Sequence, residues 1–142
     1  MEALLELEEQ NREIAELCRV LRVLLNDTSV CDTRIARELF QRFTTKVKGH
    51  LALEANSLYA SLLSHHNGKV NTVTGRFLEN SRELQRLFAG YEKKWCRQGV
   101  NVQGNPDFIQ ETHDIFDMIL ERIEKESKEF FPMAREAVAQ PA

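Results

Sequence analysis

Proline is scarce in this chain, with three residues in 142, at positions 106, 132 and 141. Glycine is limited to six. Few breakers leave room for long uninterrupted helices. No apolar run approaches the roughly 20 residues of a membrane span. The opening Met1–Gln10, MEALLELEEQ, is acidic and helix-prone and lacks the basic and then apolar pattern of a secretory leader, so a cytoplasmic location is expected. Cys18, Cys31 and Cys96 are odd in number and widely spaced. That excludes a disulfide framework and a CxxC metal knuckle and points to reduced thiols. No glycine-rich phosphate loop is present, and basic and aromatic residues do not interleave into a nucleic-acid surface. The net charge of −3, with the basic residues scattered, gives no electrostatic footprint for nucleic acid.

What remains is a helical sequence of single-domain length, 1–142. Turn formers cluster at Asn26-Asp27-Thr28-Ser29, at Asn67-Gly68-Lys69 and from Gln98 to Pro106. They divide the chain into helical segments over 2–26, 32–65, 72–97 and 107–136. Asp32 or Thr33 can cap the second segment, and Asn105-Pro106 supplies a cap and first-turn proline for the fourth. Apolar residues recur at helical spacing in each: Leu4, Leu7, Ile14, Leu17, Leu21 and Leu25, then Leu39, Phe43, Val47, Leu51, Leu58 and Leu62. The third carries Val73, Phe77, Leu84, Phe88, Tyr91 and Trp95, and the fourth Phe108, Ile115, Ile119, Ile123 and Phe130. Short connections between long amphipathic helices predict an all-α, antiparallel up-down-up-down four-helix bundle.

Each stripe is interrupted by polar residues. Asn11 falls between Leu7 and Ile14, His50 and Glu54 between Val47 and Leu58, Ser81 between Phe77 and Leu84, and Arg122 and Glu126 between Ile119 and Phe130. At about 1.5 Å rise per residue, antiparallel packing brings these positions to one level within about a turn. The halves also resemble one another. Asn11-Arg12-Glu13-Ile14 parallels Ser81-Arg82-Glu83-Leu84, and His50 to Glu54 followed by Leu58-Tyr59 parallels Arg122 to Glu126 followed by Phe130-Phe131-Pro132. Two pseudo-repeated helical hairpins are expected.

These residues resemble the hemerythrin-like (HHE cation-binding) family. Its four-helix bundles hold a non-haem di-iron centre with a helix-one His, a His-x-x-x-Glu pair on helix two, a helix-three His and a second His-x-x-x-Glu pair on helix four. The resemblance covers nearly the whole chain. It implies His50, Glu54 and Glu126 as metal ligands, but Asn11, Ser81 and Arg122 stand where the remaining histidines would be. Asparagine and serine are weak iron ligands, and a guanidinium, protonated at any accessible pH, is none. The expectation is therefore a vestigial metal site with no cofactor bound. Its place would be taken by a buried polar layer of Asn11, His50, Glu54, Ser81, Arg122 and Glu126, in which Arg122 bridges the two carboxylates. Two alternatives stand beside it: Arg122 snorkels outward, or His50, Glu54 and Glu126 hold a single zinc or iron ion.

The function expected from this pattern is a non-enzymatic, regulatory or protein-interaction role with an unidentified protein partner, no nucleic acid and no membrane. The chain would act as a monomer or homodimer. The stretch from Phe43 to Tyr59 also resembles the regulator-of-sigma-D proteins, which would make the chain an anti-sigma regulator. A metal-binding sensor or oxidative-stress protein is the rival from another class. Outside the layer, His65 and His66 read as a solvated helix end, His113 as facing away from the layer, and Cys18 as a small core residue. Glu121, Glu124, Lys125, Lys128 and Glu129 read as a charged outer face. Phe130-Phe131-Pro132-Met133 reads as core at the end of the bundle.

Overall fold

The structure, a computed structural model, describes residues 2–26, 33–95 and 106–139. The caps expected at Asp32 and Asn105, and Cys31 and Cys96, lie outside the described residues. All the regular structure among the described residues is helical, arranged as four long helices. Helix α1 is Glu2–Leu25, α2 covers 34–63, α3 is Gly68–Trp95 and α4 covers 106–139. None is long and apolar enough to cross a membrane.

The helix ends follow local chemistry. Thr33 caps α2 by accepting from the Ala36 N–H at 3.3 Å, the expected use of a β-branched hydroxyl at that position. Helix α3 begins four residues earlier than the expected start at 72, because Asn67 acts as a cap as well as a turn residue. Its side-chain oxygen accepts from the Lys69 N–H at 2.9 Å. Asn71 then reaches back across the turn and donates to the carbonyls of Leu62, Leu63 and His65 at 3.0, 3.0 and 2.8 Å. One side chain thus gathers the last carbonyls of α2, where intrahelical donors run out. Asn71→Ala should cost about 1–2 kcal/mol, read as a lower denaturant midpoint at unchanged m-value.

Helices α2 and α4 each contain one π turn, Ala55–Tyr59 and Glu126–Phe130. A π turn replaces i→i+4 bonding by i→i+5 and so shifts the side-chain phase of everything beyond it. In α4 it also precedes Pro132, which sits early in the resumed helix Phe131–Ala139. The bonding pattern is already rearranged there, at the point where proline removes a donor.

The core is two apolar bodies separated by a polar one. One cluster gathers Ile14, Cys18, Leu21, Phe43, Val47, Leu51, Leu84, Phe88, Phe116 and Ile119, with the Phe43 ring edge-on to Phe88 and Phe116. The other gathers Leu4, Leu7, Leu58, Leu62, Val70, Phe77, Phe130 and Phe131, with Phe77 stacked on Phe130 at 4.8 Å. Phe40 and Val70 are buried core residues outside the expected stripes, while Val73 and Leu17 are only partly buried. Phe130 and Phe131 lie inside, as expected for the bundle end. On the outer face of α4, Glu121 pairs with Lys125 and Glu124 with Lys128 one turn on, at 3.1 and 2.7 Å.

Candidate cation-binding layer

Between the two apolar clusters the stripes of all four helices turn polar at one level. Asn11, His50, Glu54, Ser81, Arg122 and Glu126 are all buried, and the two glutamates have no exposed surface. Ionised carboxylates at such depth are costly unless compensated by opposite charge and hydrogen bonds. Both forms of compensation are present.

His50 stands at the centre. Its Nδ1 lies 2.9 Å from the Gln10 Oε1, and its Nε2 lies 3.0 Å from Glu54 Oε1 and 3.4 Å from Glu126 Oε1. Every neighbour of the ring is thus an acceptor, the environment of an imidazolium. Burial opposes that charge, but the hydrogen bonds and charges of Glu126 and Glu54 outweigh it and hold the pKa up at about 9. Asn11 donates through Nδ2 to Glu126 Oε1 at 3.3 Å.

Arg122 faces inward, against the snorkelling alternative. Its Nη2 lies 3.5 Å from Glu54 Oε2 and 3.6 Å from Glu126 Oε2 and donates to the Tyr59 hydroxyl. The Tyr59 hydroxyl donates onward to Glu54 Oε2 at 3.0 Å. The other arm of the fork, Nη1, donates to the Phe77 carbonyl at 3.2 Å and to Asn80 Oδ1 at 2.6 Å, while the guanidinium lies over the Phe77 ring. The planar fork thus serves two helices at once, which a point-charge lysine cannot do.

The two carboxylates are not equivalent. Burial disfavours ionisation of both. Glu54 is nonetheless held below the ordinary carboxylate range by hydrogen bonds from Glu126 and His50 and by the charges of Arg122 and His50. Glu126 goes the other way, raised by burial and by the adjacent charge and hydrogen bond of Glu54. A carboxylate pair in one site splits in this manner because two like charges at close range do not ionise equally. Tyr59 is raised by burial and by Glu54, so its hydroxyl remains a donor.

The structure sorts the sequence expectations residue by residue. It brings Asn11, His50, Glu54, Arg122 and Glu126 together. Ser81 is buried at the same level, but its hydrogen bond is with Gln85, at 3.4 Å; helix α3 serves the guanidinium through Asn80 and the Phe77 carbonyl instead. Sequence reasoning missed Gln10, Tyr59 and Asn80 as participants. A signal for two of them lies in the repeat. Gln10 precedes Asn11 and bonds His50, and Asn80 precedes Ser81 and bonds Arg122, so each hairpin contributes a polar side chain one residue before its layer position. Tyr59 has a different origin. It lies five residues after Glu54 at the end of the π turn, and i→i+5 winding brings residue i+5 back beneath residue i. His113 lies outside the layer, edge-on to Phe116. Cys18 is fully buried, and burial pushes its thiol up to about 12, which makes it unreactive. Tyr59→Phe should destabilise by about 1–3 kcal/mol, since it leaves Arg122 and Glu54 each short of a partner in a buried site. A melting curve compared with the parent protein checks this.

Metal-ligating atoms of His50, Glu54 and Glu126 lie within 4.8 Å of one another. This donor set is one imidazole and two carboxylates. A pair of irons is ordinarily held by several imidazoles as well as bridging carboxylates, and here a guanidinium lies 3.5 and 3.6 Å from the carboxylate oxygens that face it. Asn11 Oδ1 and Glu126 Oε2 are buried without a hydrogen-bond partner, and Glu54 Oε1 has the His50 ring beside it at 3.0 Å. The layer therefore retains acceptor capacity beside its three candidate ligands. The family model for the hemerythrin HHE cation binding domain matches residues 3–134. No curated protein and no solved structure gives a significant match. With a family model covering almost the entire chain, and a His/Glu cluster at the level where its helices converge, the chain belongs to the hemerythrin HHE cation-binding domain family.

Proposed function

We propose that this chain is a non-enzymatic, regulatory or protein-interaction member of its family, in which a guanidinium replaces the metal pair as the cation of the central layer. The observation that carries the reading is the position of Arg122, 3.5 and 3.6 Å from oxygens of the two buried glutamates. A metal centre neutralises carboxylates and ties helices together at one level. Arg122, with His50 as a second positive charge, performs both tasks here: two cations face two carboxyl groups, and the hydrogen bonds run from α1 to α2, α2 to α4 and α4 to α3. The layer fixes the register of the hairpins, because sliding one helix by a turn would strand a buried charge. Among the described residues no activated thiol accompanies the layer, Cys18 being buried with its thiol raised, and the reading places the partner on the helix faces.

Adding one equivalent of Fe(II) or Zn(II) to the purified protein tests this. The expected result is an unchanged melting temperature and, after exposure of the iron sample to air, no oxo-iron absorption in the visible range. A ligand that binds only the folded state stabilises by about 2.7 kcal/mol at a hundredfold excess over its Kd, so a rise of several degrees at micromolar metal would contradict the proposal. One observation favours a second reading, a single-ion site. The His50–Gln10 hydrogen bond orients the ring as a metal-binding histidine is oriented, and His50 Nε2 with one oxygen each from Glu54 and Glu126 makes three ligands.

A further inference from the structure

Each buried glutamate turns one oxygen to Arg122 and the other to His50. Glu54 Oε2 and Glu126 Oε2 lie 3.5 and 3.6 Å from the guanidinium, while Glu54 Oε1 and Glu126 Oε1 lie 3.0 and 3.4 Å from His50 Nε2. The atoms on the His50 side carry the spacing of a ligand shell. Ligands at about 2.0–2.2 Å around a tetrahedral ion stand roughly 3.4 Å from one another, and one ligating atom from each of the three residues lies within 4.8 Å of the others. The ring is oriented as well: Gln10 Oε1 lies 2.9 Å from Nδ1, which leaves Nε2 as the coordinating nitrogen. What opposes an ion here is charge. A ligating imidazole is neutral, so the two carboxylates alone would balance a divalent ion. With the guanidinium in place the filled layer would carry an uncompensated positive charge around glutamates that have no exposed surface. Arg122 also bounds the layer on its outer side. With Asn80 it lines two cavities of about 300 and 150 Å³ in the seam between α3 and α4, and its fork is fixed there by Asn80, the Phe77 carbonyl and the Tyr59 hydroxyl.

Resting on the reading of Arg122 as the cation of the layer, we propose that His50, Glu54 and Glu126 are a latent site for one divalent transition-metal ion, and that Arg122 is the residue that keeps it closed. Arg122 acts by charge first and by access second. Loss of the charge therefore opens the site even where a polar side chain remains. Arg122→Gln makes that change, whereas Arg122→Lys keeps the charge on a flexible stem and gives up the planar fork. In Arg122→Gln the two glutamates lack a counter-charge that a divalent ion can restore, so the variant regains on loading the stability it lost with the guanidinium. Three protein ligands with the remaining position left to water are enough to hold such an ion.

Cobalt(II) is the probe, because its visible absorption reports coordination directly. Titrated into the full chain, Co(II) should bind Arg122→Gln at one equivalent and roughly a hundredfold more tightly than it binds the parent, with Arg122→Lys between the two. At about a hundredfold excess over its Kd it should raise the melting temperature of Arg122→Gln by roughly 5 °C or more, and leave that of the parent unchanged. Adding His50→Ala to Arg122→Gln should abolish both signals. Should Arg122→Gln be unfolded on its own, Co(II) should fold it, as read by far-UV circular dichroism. Equal affinities in Arg122→Gln and the parent, no binding by Arg122→Gln at millimolar Co(II), a chain still unfolded at that concentration, or binding that survives His50→Ala would overturn the proposal. An Arg122→Gln chain that ignores cobalt would leave the metal-free layer of the parent standing. A parent chain that takes up the ion would overturn the metal-free reading, yet a hundredfold gain in Arg122→Gln would still uphold Arg122 as the residue that opposes it.

Discussion

Arg122→Leu should lower stability by about 3–5 kcal/mol, the cost of leaving buried carboxylates without their cation. For a chain of this length that is a fall in melting temperature on the order of 10 °C. Three consequences separate this from an ordinary core defect. The carboxylate pKa values should rise, because Arg122 is among the influences that lower both Glu54 and Glu126. Arg122→Lys should recover only part of the loss, since an ammonium keeps the charge but cannot span Glu54, Tyr59 and Asn80 with one planar group. Replacing the four charged groups His50, Glu54, Arg122 and Glu126 together by apolar residues should cost far less than removing Arg122 alone, because the desolvation penalty leaves with the charges. Urea titration of the three proteins, with NMR titration of the glutamates in the single variants, checks each outcome. A neutral Arg122→Leu would show that the guanidinium does not compensate these carboxylates.

The second large effect is a loss of stability on the alkaline side. His50 has its folded pKa raised from the ordinary 6.5 to about 9. A group raised on folding contributes stability that is fully present below its unfolded pKa and is lost as pH rises through its folded pKa. Stability should therefore decline between about pH 6.5 and 9, by on the order of 3 kcal/mol from His50 alone. Glu126, also raised, contributes in the same sense: its share is present below the ordinary carboxylate pKa and is lost as pH rises through its folded value. Glu54 is lowered, so its share is present above the ordinary carboxylate pKa and is lost as pH falls toward its folded value. Its effect lies on the acid side and leaves the alkaline slope intact. Denaturant unfolding at pH 6 and at pH 9.5 measures the difference, and His50→Gln should flatten most of it. Equal pH slopes in the two proteins would assign the alkaline loss to other groups.

The helices were legible because their apolar residues repeat at helical period over long stretches, and the polar layer was legible because it breaks that period at one level in all four. Asn11, Glu54 and Arg122 are visible in the sequence as charges or amides where leucine belongs. Gln10 and Asn80 show only through the repeat, since each lies beside the stripe and reaches the layer by the direction of its side chain. Tyr59 was hidden for a deeper reason. An α-helical reading turns it away from Glu54, and only the π turn, which depends on backbone bonding rather than residue pattern, brings its hydroxyl under the carboxylate. The earlier start of α3 has the same character: Asn67-Gly68 reads as a break, and the side-chain bond from Asn67 to the Lys69 N–H makes it a helix start. The family resemblance supplied the identity of the layer, but it was the count of substituted ligands that pointed to Arg122.

Elemental analysis of the untagged protein, purified without chelators, decides whether a guanidinium or a metal is the cation of the layer. A layer held by Arg122 and His50 predicts iron, zinc and manganese each far below one equivalent per chain. One equivalent of any of them, released by His50→Ala, would show that the layer still binds a cation and that Arg122 accompanies the metal rather than replacing it.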